Sequence, residues 1–143
     1  MILLPDDLRA RLLANGENRG PDHVPVLKLF NPIGAATWLA SELHEDGDTL
    51  FGLADLGFGC PEMGAFSLSE IARVRLPFGL RIERDLAFTA RFGITVYADA
   101  ARLAGRITED ERWLAMAARA RALSRDPDRN DPTDDEIPRN PHG

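Results

Sequence analysis

Several things are scarce in this chain of 143 residues, and each scarcity closes a door. There is one cysteine, Cys60, so no disulfide can form within the chain, which agrees with a reducing compartment. Three histidines (His23, His44 and His142) are few for a metal centre or for a nucleophile that needs a base beside it. No apolar run approaches the ~20 residues of a membrane span. The opening "MILLPDDLRARLL" meets Asp6 and Asp7 before any basic residue, the wrong order for a secretory signal, so a cytoplasmic protein without membrane contact is expected. Lysine is almost missing, with Lys28 alone against sixteen arginines, and residues 29–72 contain no lysine or arginine at all.

That last gap reveals how the net charge of -6 is distributed. Residues 1–28 balance, whereas residues 29–72 carry seven carboxylates. Residues 73–125 carry eleven arginines against six acids, and the tail from Asp126 carries six acids against two arginines. The acidic and basic segments are expected to pair internally, the alternative being two faces of opposite sign offered to partners.

What is present reads as one α+β domain over residues 1–125, a length that suits a single core. Asp6 is placed to cap a first helix that ends before Gly16. "VPVLKLF" (24–30) is β-rich, with Pro25 suiting an edge or a strand start, and "NPIG" (31–34) is turn chemistry. "AATWLASEL" and "TLFGLADLG" flank "HEDGD", which predicts a β-hairpin. "GAFSLS" (64–69) predicts a third strand, with Ser67 or Ser69 capping a short helix. "RDLAFTARF" (84–92) is expected to be extended. Two helices follow, one closed by Gly105 and one opened by a Thr108-x-x-Glu111 capping box, with Trp113, Met116, Ala117, Ala120 and Leu123 on one face. The fold expected is therefore a small antiparallel β-meander packed with an N-terminal helix and a C-terminal helical pair. Trp38, Phe51, Leu53, Trp113 and Met116 are expected in its core. Residues 126–143, with four prolines and six acids, are expected to be disordered.

The stretch "DLGFGCPEMG" (55–64) gathers three glycines, a proline, two carboxylates and the cysteine. As a dinucleotide loop it fails, because the third glycine comes two positions late and strand-like text follows where a helix is required. Cys60 as a nucleophile lacks a histidine close in sequence, and a lone cysteine is more often a small apolar side chain. The acidic turn His44, Glu45, Asp46 and Asp48 has the wrong register for an EF-hand and reads as a solvated hairpin tip, so no metal and no cofactor is expected. Asp55 and Glu62 bracket the bend, and two carboxylates in contrasting environments can act as acid and base. The plainer reading gives Asp55 the loop amides, and gives Glu62 a partner in Arg81 or Arg84.

A long ordered series of motifs is similar to the DUF2958 family. It runs through Lys28-Leu29-Phe30, Gly34-Ala35-Ala36-Thr37-Trp38, Asp48, Phe51-Gly52-Leu53, Asp55-Leu56-Gly57 and Pro61-Glu62-x-Gly64, then Ser67-Leu68-Ser69-Glu70 and Glu83-Arg84-Asp85. "LLANG" and "AARLAGRI" extend the likeness to roughly residues 1–107. The resemblance implies a setting on plasmids and integrative elements and assigns no catalytic residue. Three functions are expected from these observations. The first is a non-enzymatic adaptor or anti-defence protein that meets a protein partner with Glu45, Asp46, Asp48, Asp55, Glu62 and Arg84. The second is a small hydrolase using Asp55 and Glu62. The third is a DNA-binding accessory factor using the Arg-rich C-terminal helices, Arg112 and Arg119 above all.

Overall fold

The computed structural model describes residues 1–125; the acidic tail from Asp126 lies outside the described residues. Helix α1 spans Asp6–Glu17, and four strands follow: β1 Leu27–Phe30, β2 Thr37–Leu43, β3 Thr49–Asp55 and β4 Glu62–Ser67. A short helix α2 (Leu68–Ala72) and a single 3-10 turn (Pro77–Gly79) lead to β5 (Glu83–Arg84). Helices α3 (Ile94–Ala104) and α4 (Glu111–Arg125) complete the described chain. The strands form one antiparallel sheet in the order β4-β3-β2-β1-β5, so the fold is α+β, as expected.

Strand side chains alternate between faces, and both faces of this sheet are covered. On one face Leu27, Leu29, Trp38, Ala40, Leu43 and Leu50 pack with Leu4 and Leu12 of the N-terminal region and Ile71 of α2. On the other, Leu39 and Leu53 meet Ile94, Tyr97, Ala98 and Ala101 of α3, and Leu114 and Ala117 of α4. Ala40 and Leu43, three residues apart, face the same core because a β-bulge lies between Ala40 and Glu42. Gly52 permits this irregularity: a Cβ there would lie 1.9 Å from the Leu39 carbonyl oxygen.

The hairpin, the third strand and the Ser67 cap form as the sequence predicts, the Ser67 hydroxyl accepting the Glu70 amide at 3.1 Å. Gly105 closes α3 in the left-handed conformation. Several details differ. Pro5, not Asp6, occupies the N-cap of α1, and Gly16 lies inside the helix instead of beyond it. A side chain at Gly16 would collide with the Leu43 carbonyl oxygen, so the glycine serves helix-to-sheet approach and not termination. "RDLAFTARF" is not extended beyond Arg84. The Asp85 carboxylate accepts the Ala87 amide at 2.9 Å and turns the chain. The capping box at Thr108 gives way to Asp110, whose carboxylate takes the Arg112 amide at 2.9 Å, while Thr108 Oγ1 accepts the Asp110 amide. Trp38 and Leu53 are buried and Phe51 and Trp113 partly so, but Met116 is 55% exposed. Helix α4 is rotated by about one residue from the expected face, presenting Leu114 and Ala117 to α3.

Candidate functional site

The bend between β3 and β4 and the tip of the β2–β3 hairpin lie at opposite ends of β3. Asp55 ends β3 with only 3% of its surface exposed. One carboxylate oxygen accepts the Gly57 amide at 2.9 Å and the other the Ile107 amide at 3.0 Å, fastening both the bend and the α3–α4 connection to the sheet. Asp55 pairs with Thr37 and shares the face of Leu53, toward α3 and α4, whereas Glu62 pairs with Ala54 and shares the face of Trp38. The two carboxylates are thus not brought together. Glu62 is exposed, and among the described residues it has no ion pair with Arg81 or Arg84. Beyond Asp55 the fold asks little of its side chains. Leu56 is 57% and Phe58 83% exposed, and with Ala54, Cys60 and Glu62 they line an open recess of about 260 Å³. Cys60 is exposed, and His44 begins the hairpin tip at the far end of β3.

The tip is built differently. Asp46 accepts the amides of Asp48 and Thr49, each at 2.8 Å, and the Thr49 hydroxyl at 2.6 Å. These bonds, the hydroxyl first, pull its carboxyl down to about 2 from the ordinary 3.8. Asp48 accepts the Ser67 hydroxyl at 2.6 Å and the Ser69 amide at 2.7 Å, and the Ser67 bond leads in holding its carboxyl below the usual range. Arg9 reaches across from α1 to the Gly47 carbonyl at 3.1 Å. Of the three acids expected to meet a partner here, Asp46 and Asp48 knit the turn and the start of α2, and Glu45 is exposed. No group of three or more His, Cys, Asp or Glu able to hold a metal occurs among the described residues.

Arg84 lies in β5, opposite Leu29, and its Nε donates to the Ile2 carbonyl at 3.4 Å. It borders a cleft of about 370 Å³ with Arg11, Lys28 and Asp85. Lys28, not among the residues expected to form a site, is held between Asp85 (3.4 Å) and Glu109. Its signal was its solitude: the one lysine among sixteen arginines, beside the Glu83-Arg84-Asp85 motif across the β1–β5 pair.

The expected pairing between acidic and basic segments does not occur. Among the described residues no arginine of 73–125 forms an ion pair with a carboxylate of 29–72; Arg91, Arg102, Arg112 and Arg121 pair with Glu111, Asp99, Asp110 and Asp99 within their own segment. Short reach explains this: Asp110 binds Arg112 two residues away, and Asp99 joins α3 to α4 through Arg121. The Asp110 carboxyl is pulled down to about 2, chiefly by its hydrogen bond to Arg112. Arg112 is therefore engaged, and Arg119 is exposed on α4.

A three-layer α+β fold with its polar motif residues turned to structural use, and without a carboxylate dyad, defines the class. The chain belongs to the family described as "Protein of unknown function (DUF2958)", which it matches over residues 3–108. No curated protein and no solved structure matches it. Among the described residues, no helix is long and apolar enough to cross a membrane.

Proposed function

We propose that the chain is a non-enzymatic accessory protein, an adaptor or anti-defence factor of a mobile element acting in the cytoplasm, that binds a protein partner through the β3–β4 bend. The observation that carries this reading is the exposure of Leu56 and Phe58 above the Asp55 anchor. Buried aromatic anchors dominate the energetics of protein interfaces, and a ring the fold leaves in water is available to become one. The hydrolase alternative needs Asp55 and Glu62 on one side of the sheet, and the strand register separates them. DNA binding by α4 is weakened by the commitment of Arg112 and Arg121 to neighbouring carboxylates. A second protein-binding reading uses the acidic hairpin; the ionised, exposed Asp46 and the exposed Glu45 favour it.

Pull-down from the native host with quantitative mass spectrometry separates the two. Leu56→Ser with Phe58→Ser is expected to strip the co-purifying partner while leaving the circular dichroism spectrum intact. An unchanged partner set would overturn the bend as the interface. Loss with Glu45→Lys instead moves the interface to the hairpin.

A further inference from the structure

The segment from Arg73 to Arg81 contains three arginines and no acid. Its centre is a closed loop: the Leu76 amide donates to the Leu80 carbonyl at 3.0 Å, and the Leu80 amide to the Pro77 carbonyl at 3.3 Å. Arg75 and Arg81 therefore flank the closure directly, and Phe78 stands at the apex. Arg81 folds back to donate to the Ala72 carbonyl at 3.0 Å, which brings its guanidinium to the C-terminal end of α2, beside Arg73. Phe78 has φ of 63°, in the left-handed region, and it is the only non-glycine residue with positive φ among the described residues. It is also 93% exposed.

Three unfavourable features thus coincide in one loop. A bulky side chain in the left-handed region is strained, an aromatic ring in water forgoes its burial, and clustered like charges repel. None of the three arginines forms an ion pair among the described residues, and neither Glu70 nor Glu83, the acids nearest in sequence, reaches them. The ring contributes nothing to either core. Strain, exposure and uncompensated charge held together point to a ligand with planar faces and negative charges at short spacing. We propose that this loop binds single-stranded nucleic acid, one base stacking on Phe78 while Arg73, Arg75 and Arg81 meet the flanking phosphates. The site is separate from the β3–β4 bend and does not depend on that bend's role.

Fluorescence anisotropy with the full chain and a labelled oligothymidylate of about twenty nucleotides tests this. Three phosphate contacts predict a log–log salt slope of about -2, so affinity falls about twentyfold between about 50 and 200 mM salt. Arg73→Ala with Arg75→Ala lowers the slope to about -0.7. Phe78→Ala and Phe78→Leu each weaken binding about tenfold at fixed salt, whereas Phe78→Trp retains it. Four results would overturn the proposal: no salt-dependent binding, undiminished binding by Phe78→Leu, equal affinity for a duplex of the same length, or equal affinity for a polyglutamate peptide, which would reduce the loop to a general anion site. Thermal melts of each variant establish that the compared proteins are folded.

Discussion

The two ends of β3 differ in what they do with their side chains. At the hairpin tip, where three carboxylates fall within four residues, Asp46 takes three donors and Asp48 two, so these two acids are structural glue. At the bend, charge is sparse, one buried carboxylate carries the anchorage, and the residues above it are apolar and open to water. Local charge density is therefore a poor guide to which side chains the fold leaves uncommitted. A polar group with its hydrogen bonds satisfied internally has little left for a partner, whereas an apolar side chain the core does not use is still available.

The contrast is most easily broken at its anchor. Asp55→Ala removes the acceptor of the part-buried bonds from the Gly57 and Ile107 amides, and urea denaturation is expected to register a loss of about 2 kcal/mol. A loss below about 1 kcal/mol would mean that the bend is not fastened as described. Next comes Phe78→Gly, which removes the left-handed strain and is expected to raise stability by about 1 kcal/mol. Destabilisation would show instead that the ring contributes to the fold.

The tip answers to pH. The folded-state carboxyl of Asp46 lies near 2, below its ordinary 3.8, so its contribution is present above about pH 4 and is lost as pH falls through 2. Being exposed, it is screened by water, and the effect is expected to be small. Asp46→Asn should flatten the melting temperature across that window relative to wild type; identical acid profiles would remove the tip's structural role. Smallest of all is the stability change for Leu56→Ser with Phe58→Ser, expected within about 0.5 kcal/mol of wild type because neither side chain belongs to a core cluster. A larger loss would turn the bend's apolar residues into packing and erase the contrast.

Much of the β-meander was legible because local chemistry specifies it. Asp46-Gly47 closes a hairpin, Trp38 and Leu53 are buried, though in cores on opposite faces of the sheet, and Gly105 ends a helix. What escaped the sequence depends on where elements meet. The bulge after Ala40 exists because Gly52 sits across from it, a relation between strands and not between neighbours. Helix α4 offers two alanine-rich faces of similar apolarity, and only the position of α3 selects Leu114 and Ala117 over Met116 and Ala120. Asp55 and Glu62 look like a pair along the chain, and only the strand register sets them on opposite sides. The occupation of both Asp55 oxygens requires Ile107, which lies 52 residues away and carries no signal of its own.

That distant bond gives the molecule a mechanical linkage. The glycine-rich bend and the α3–α4 connector share one anchor on the sheet, the Asp55 carboxylate, so pulling on one loads the other. Whatever grips the bend will be felt at Ile107, and amide exchange there reports engagement without the probe touching the gripping surface.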